Sequence, residues 1–128
     1  MILDSSALVA IALDEPERPE LVAKINAAPT IAVAAPTLVE AGIVLSARTG
    51  EDATALLAEL IGVSDAVVID FGPRHWQEAV AAWRRFGRSR HPAGLNLGDC
   101  LAYAVARVAG EPLLAKGDDF RQTDIDLA

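Results

Sequence analysis

The chain has 128 residues, so a single domain (1–128) with a core that needs no covalent staples is expected. Hydrophobic residues make up 52% of it, which excludes a disordered chain. The lone Cys100 excludes an internal disulfide or a cysteine-rich zinc site, and the net charge of −7 argues against holding nucleic acid by bulk charge.

The elements read in order as follows. Residues 1–4 form a short apolar strand that opens directly on Ile2 and Leu3. No basic leader with a cleavage site precedes it and no apolar run reaches membrane-spanning length, so the expected compartment is the cytoplasm. A helix over Ser5–Leu13 and a second over Pro19–Ala27 follow, the latter broken by Ala28-Pro29. Residues 31–35 form a strand whose unbroken apolar character suits burial on both faces. A helix then runs from Pro36-Thr37 to Thr49, stopped by Gly50, and another from Glu51 to Ile61. Ala66–Asp70 forms a third strand, Pro73–Arg88 a helix and Asn96–Ala109 a helix stopped by Gly110. Pro112–Ala115 forms a fourth strand and Asp124–Leu127 a short fifth. Strands alternating with helices predict an α/β fold of three layers, with a mostly parallel central sheet of four to five strands flanked by helices. The segment Gly87–Leu95 reads as a mobile loop, with His91 facing solvent.

Acidic residues recur where an apolar strand gives way to a turn, or in the first turn of a helix. They are Asp4, Glu40, Asp99 and the pair Asp118/Asp119. Each has a structural explanation: Asp4 as a helix N-cap, Thr37-x-x-Glu40 and Asn96-x-x-Asp99 as capping boxes, and Gly117-Asp118-Asp119 as a turn. Together they call for more. Strand ends in a parallel sheet share one edge, and two unit charges about 4 Å apart repel by roughly 4 kcal/mol at an effective dielectric near 20. Hard carboxylate oxygens without histidine or cysteine suit Mg²⁺, with Mn²⁺ possible, and such a site supports phosphate chemistry. Ser5 and Ser6 could donate to a substrate phosphate or simply complete the cap. Lys116 could reach a phosphate or face solvent. Arg84, Arg85, Arg88 and Arg90 could contact an RNA backbone or form a solvated basic face. Trp76, Val80, Trp83 and Phe86 lie near one helical stripe and are expected in the core, with partner contact as the alternative.

Four motifs in register resemble those of the PIN-domain ribonucleases, and of the VapC toxins of bacterial toxin–antitoxin pairs in particular. These are Leu3-Asp4-Ser5-Ser6-Ala7, Pro36-Thr37-x-x-Glu40, Leu95-x-x-Gly98-Asp99-Cys100-x-x-Tyr103-Ala104, and Leu113-Leu114-x-x-Gly117-Asp118-Asp119-Phe120-x-x-Thr123-Asp124. The resemblance spans the chain. It implies a Mg²⁺- or Mn²⁺-dependent endoribonuclease, a VapB-like antitoxin partner and a homodimer, with the antitoxin's C-terminal segment across the active-site cleft. It carries over Asp4, Glu40 and Asp99 as metal-binding residues, with Asp118 or Asp119 as the fourth according to how the turn is registered.

Two other readings remain open on the sequence. One is a receiver-type phosphoacceptor with Asp70 as the phosphorylated group and Lys116 as its partner. The other is an inert acidic binding module whose carboxylates only cap helices.

Overall fold

The structure, a computed structural model, describes all 128 residues. Its strands are β1 (Ile2–Leu3), β2 (Ala32–Ala34), β3 (Val67–Ile69) and β4 (Leu113–Leu114). Its helices are α1 (Ser5–Ala12), α2 (Arg18–Ala27), α3 (Ala35–Thr49), α4 (Thr54–Val63), α5 (Pro73–Phe86) and α6 (Leu97–Ala109). The four strands are all parallel, in the order β3-β2-β1-β4, with Ile2 opposite both Ala32 and Leu113. The expected fifth strand at Asp124–Leu127 contracts to one bridge between Leu113 and Leu127.

Period-two alternation in the strands divides the core into two layers. Leu3, Val33 and Leu114 point into one layer, packed by α1 to α4; Ile2, Ala34 and Leu113 point into the other, packed by α5 and α6. The chain winds β1-β2-β3 with helices on one face, then returns past β1 to β4 with α5 and α6 on the other. The winding direction therefore reverses between β1 and β4, the place where open parallel sheets bind ligands.

α5 departs from the expected stripe. Its buried residues are Ala79, Ala82 and Phe86, whereas Trp76, Val80 and Trp83 stay 55%, 50% and 43% exposed. The two alanines let α5 approach α6 closely, which leaves the larger side chains on the rim. The Gly87–Leu95 loop is closed rather than loose: Leu95 N–H donates to Phe86 O (2.9 Å) and Arg88 N–H donates to Leu95 O (3.1 Å). His91 turns inward, edge-on to Phe86 at 5.2 Å, with Nδ1 accepting from Ala93 N–H. Cys100 is buried and unpaired, as its apolar helical setting predicts.

Candidate active site

β1 ends on Asp4, whose extended backbone (φ −86°, ψ 159°) makes it the N-cap of α1. Its Oδ2 accepts from Ser6 N–H (2.9 Å) and Ser6 Oγ–H (2.6 Å), and the same hydroxyl accepts from Lys116 N–H (2.9 Å). Ser6 thus ties the exit of β1 to the exit of β4 and fixes the Asp4 rotamer. Capping uses one carboxylate oxygen only. Asp4 Oδ1 is buried with no hydrogen-bond partner, and Asp4 as a whole is 3% exposed. A buried polar atom without a partner costs about 1–3 kcal/mol, more if charged, so its retention points to a ligand.

The expected capping box at Thr37–Glu40 does not form. α3 starts two residues earlier, at Ala35, with Pro36 in the first turn, so Thr37 is an interior helical residue and is buried. Glu40 is then free to lean toward the Ser5 hydroxyl and Asp4. Its carboxylate also lies against the start of α6. A Cβ at Gly98 would overlap the Glu40 oxygens, and only glycine leaves them room there. The signal for this residue was present in the sequence: a glycine inside a helical first turn, beside the acidic Asp99. Gly98→Ala is expected to push Glu40 out of the cluster and lower activity roughly ten- to a hundredfold, the scale seen when supporting contacts of metal-binding groups are lost. The melting temperature should hold, because the flexible end of Glu40 yields and not the backbone. Parallel activity and thermal-denaturation measurements check this, and unfolding of the variant would refute it.

The second box forms in full. Asn96 Oδ1 accepts from Asp99 N–H (3.0 Å), and Asp99 Oδ2 accepts from Asn96 N–H (2.7 Å). Asp99 therefore caps α6 with one oxygen and turns its charge toward Asp4, Asp119 and Glu40. Burial, and then repulsion from those three carboxylates, lift its pKa to about 6. Burial likewise raises Asp4, with repulsion from Asp119 adding to it, and raises Glu40, with repulsion from Asp4 adding to it.

After β4, a turn at Gly117 (φ +94°) leads into the two neighbouring aspartates, which face different ways. Asp119 faces the cluster and raises both Asp4 and Asp99. Asp118 pairs with Arg121 Nε at 2.7 Å and is 80% exposed, so it is placed away from the cluster. The carboxylates brought together are accordingly Asp4, Glu40, Asp99 and Asp119.

The basic candidates scatter. Lys116 Nζ is held by Glu15 (2.6 Å) and Glu17 (3.1 Å), away from the carboxylates. Arg85 pairs with Asp124 (2.8 Å), which also accepts from the Tyr103 hydroxyl, so its role is to pin the C-terminal segment to α5 and α6. Arg84 and Arg88 are exposed on the side of α5 and the loop after it.

The four carboxylates supply oxygen donors only, and no three of them converge tightly enough to form a preformed cage for a bare ion. The oxygen-only donor set and the orphaned Asp4 Oδ1 nonetheless suit a small, hard divalent cation that keeps several waters.

The sequence pattern of the PIN domain matches residues 1–126. The chain is 41% identical over 129 residues to "Ribonuclease VapC28" of Mycobacterium tuberculosis, covering 100% of this chain and 97% of that protein. It is 38% identical over 125 residues to "Ribonuclease VapC" of Mycolicibacterium smegmatis, covering 98% and 97%. Among solved structures it superposes on M. tuberculosis VapC20, described as a sarcin–ricin-loop-cleaving toxin, with a TM-score of 0.80 at 17% identity, covering 99% and 97% of the two chains. It also superposes on VapBC2 from Rickettsia felis, bound to a promoter DNA fragment, with a TM-score of 0.74 at 15% identity, covering 99% and 96%. A three-layer parallel fold with a carboxylate cluster at its switch point defines a PIN domain, and the chain belongs to that family. Within it, the chain belongs with the VapC ribonucleases.

The same geometry removes the phosphoacceptor reading. Asp70 follows the edge strand β3, separated from β4 by β2 and β1, and its proposed partner Lys116 is already bound to Glu15 and Glu17.

Proposed function

We propose that this chain is a metal-dependent endoribonuclease acting as the toxin of a toxin–antitoxin pair, and that Asp4, Glu40, Asp99 and Asp119 hold Mg²⁺ or Mn²⁺. The observation that carries this reading is the buried, unpartnered Asp4 Oδ1 within a set of mutually repelling carboxylates. When bound, the ion supplies positive charge that polarises a phosphodiester and makes an attacking water more acidic. The protein's own residues set the stage for this. Ser6 locks Asp4 and Asn96 locks Asp99, each through one carboxylate oxygen, so the remaining oxygens stay aimed into the cleft without rearrangement. Ser5 and Gly98 position Glu40 from either side. Hydrolysis of an RNA strand laid across this edge of the sheet is the chemistry such a cluster supports.

The likeness to VapC ribonucleases and the toxin–antitoxin complexes among the structural neighbours support an antitoxin as partner. A suitable surface exists between α3, α4 and β3: an apolar groove of about 520 Å³ lined by Leu57 and Ile61, with Val39 and Ile43 62% and 65% exposed at its edge. A homodimer and a cytoplasmic location accord with the same family reading, and no helix is long and apolar enough to cross a membrane.

The test is cleavage of total cellular RNA by the purified chain with Mg²⁺, beside an Asp99→Asn control and a chelated sample. Discrete fragments from the unchelated wild type alone are expected. Cleavage that persists in the Asp99→Asn protein or under chelation would overturn the mechanism.

A further inference from the structure

A second apolar groove lies between α5 and α6, about 480 Å³ in volume, lined by Ala79, Val80, Trp83, Arg88, Leu95 and Asn96 among others. It adjoins the carboxylate cluster directly, because Asn96, in its wall, is the residue whose amide and side chain hold Asp99. Trp83 is fixed there while remaining 43% exposed. The Arg90 guanidinium lies over its ring, 4.1 Å from the centroid. Gly87 backs the edge of the indole so closely that a Cβ at that position would come within 2.6 Å of Trp83 Cδ1. Since Gly87 has an ordinary φ of −66°, its glycine is required for space and not for backbone freedom.

The charges around the groove indicate what it receives. Arg84, Arg88 and Arg90 make no ion pair, whereas Arg85, Arg107 and Arg121 are engaged by Asp124 or Asp118. On a chain of net charge −7, Arg88 in the groove wall and Arg90 at the indole, neither in an ion pair, form with Trp83 the combination that holds single-stranded nucleic acid, aromatic face for a base and cations for its phosphates.

We infer that the α5–α6 groove is a base-stacking subsite for the RNA strand, in which a nucleobase near the scissile phosphate packs against the face of Trp83 that Arg90 leaves open, while Arg88 and Arg90 engage the flanking phosphates. The inference rests on the ribonuclease reading above. It makes the groove, next to the carboxylates, a determinant of where the strand lies relative to the cut.

The test uses a chain carrying Asp99→Asn, so that RNA survives, and Trp76→Phe, so that Trp83 is the remaining one of the two tryptophans. Short single-stranded oligoribonucleotides, intact or with one abasic position, are titrated against Trp83 fluorescence and by anisotropy. Light scattering gives the mass of each protein. Saturable quenching is expected, with weaker binding for one abasic placement. Trp83→Ala should bind roughly ten- to a hundredfold more weakly at unchanged mass, and Trp83→Phe should recover most of the loss. Equal affinity of the Trp83→Ala protein would overturn the subsite while wild-type cleavage of cellular RNA left the ribonuclease reading standing. Loss of affinity together with a drop in mass would overturn it in favour of an interface between copies. A parent protein that binds no RNA, from a wild type that cuts none, would remove the ribonuclease reading and the subsite with it.

Discussion

Replacing Asp4 by asparagine is expected to abolish RNA cleavage and, in metal-free protein, to raise the melting temperature. The two effects share one cause. Asp4 is buried, and burial raises its pKa, so near neutral pH the folded state bears the cost of desolvating that carboxylate beside Asp119 or of keeping it protonated. Asparagine keeps an oxygen for the Ser6 amide and hydroxyl, so the α1 cap survives. It removes the charge, and its amide can donate toward the neighbouring carboxylates. A gain of order 1 kcal/mol, worth a few degrees in Tm, follows from relief of that burden. The charge it removes is the one with an oxygen left over for a cation, and loss of several kcal/mol of charge stabilisation corresponds to roughly a thousandfold or more in rate. Thermal denaturation with chelator present, beside a cleavage assay, reads both. A variant that loses Tm and activity together would mean that Asp4 serves the cap alone.

The second large effect is a pH-dependent stability that a divalent cation reverses. Asp99 titrates near pH 6 in the folded protein, against 3.8 for an unperturbed aspartate. The folded form therefore holds the proton more tightly than the unfolded chain does. Relative to the unfolded chain, the folded state is favoured below about pH 4, and that advantage is lost as pH rises through about 6, in the sense required by proton linkage. Asp4 and Glu40 are raised as well and push in the same direction. Because Asp99 is only half-buried, solvent screening holds its own share to about 1 kcal/mol. Chelated protein should accordingly melt lower at pH 7.5 than at pH 5. Added Mg²⁺ should restore stability mainly at pH 7.5, where the cluster is ionised, by about 2.7 kcal/mol at a hundredfold excess over Kd. Asp99→Asn should flatten the pH slope. If Mg²⁺ leaves the melting temperature unchanged at pH 7.5, the carboxylates do not bind it.

The fold was largely legible because its signals are local and redundant. Short apolar runs ending in turns located β1 to β4, and the spacing between them required paired helices. The fifth strand failed because a run as short as Asp124–Leu127 carries too little pattern to separate a bridge from a strand. Asp4 and Asp99 were legible for the same reason that they looked ambiguous: each caps a helix and faces the cluster, one oxygen to each task. Less legible were the setting of Glu40, the choice between Asp118 and Asp119, which the sequence left open, and the exposed face of α5. Glu40 is released by a helix that starts at Ala35 and is then confined by Gly98, 58 residues further on. Asp118 and Asp119 are adjacent in sequence, and it is the pairing of Asp118 with Arg121 and the approach of Asp119 to Asp4 that tell them apart. Trp76 and Trp83 carry the composition of a core stripe, yet the alanines beside them determine the α5–α6 spacing and leave the indoles outside.

The placement of β4 beside β1 bears on how the protein is made. The cluster draws on residues 4, 40, 99 and 119, and its fourth carboxylate follows the last strand of the chain, which pairs with the first. A nascent chain emerging on the ribosome, a particle built largely of RNA, thus carries an incomplete set of carboxylates until Asp119 has been synthesised. Translation order itself delays completion of the site until nearly the whole chain has been made.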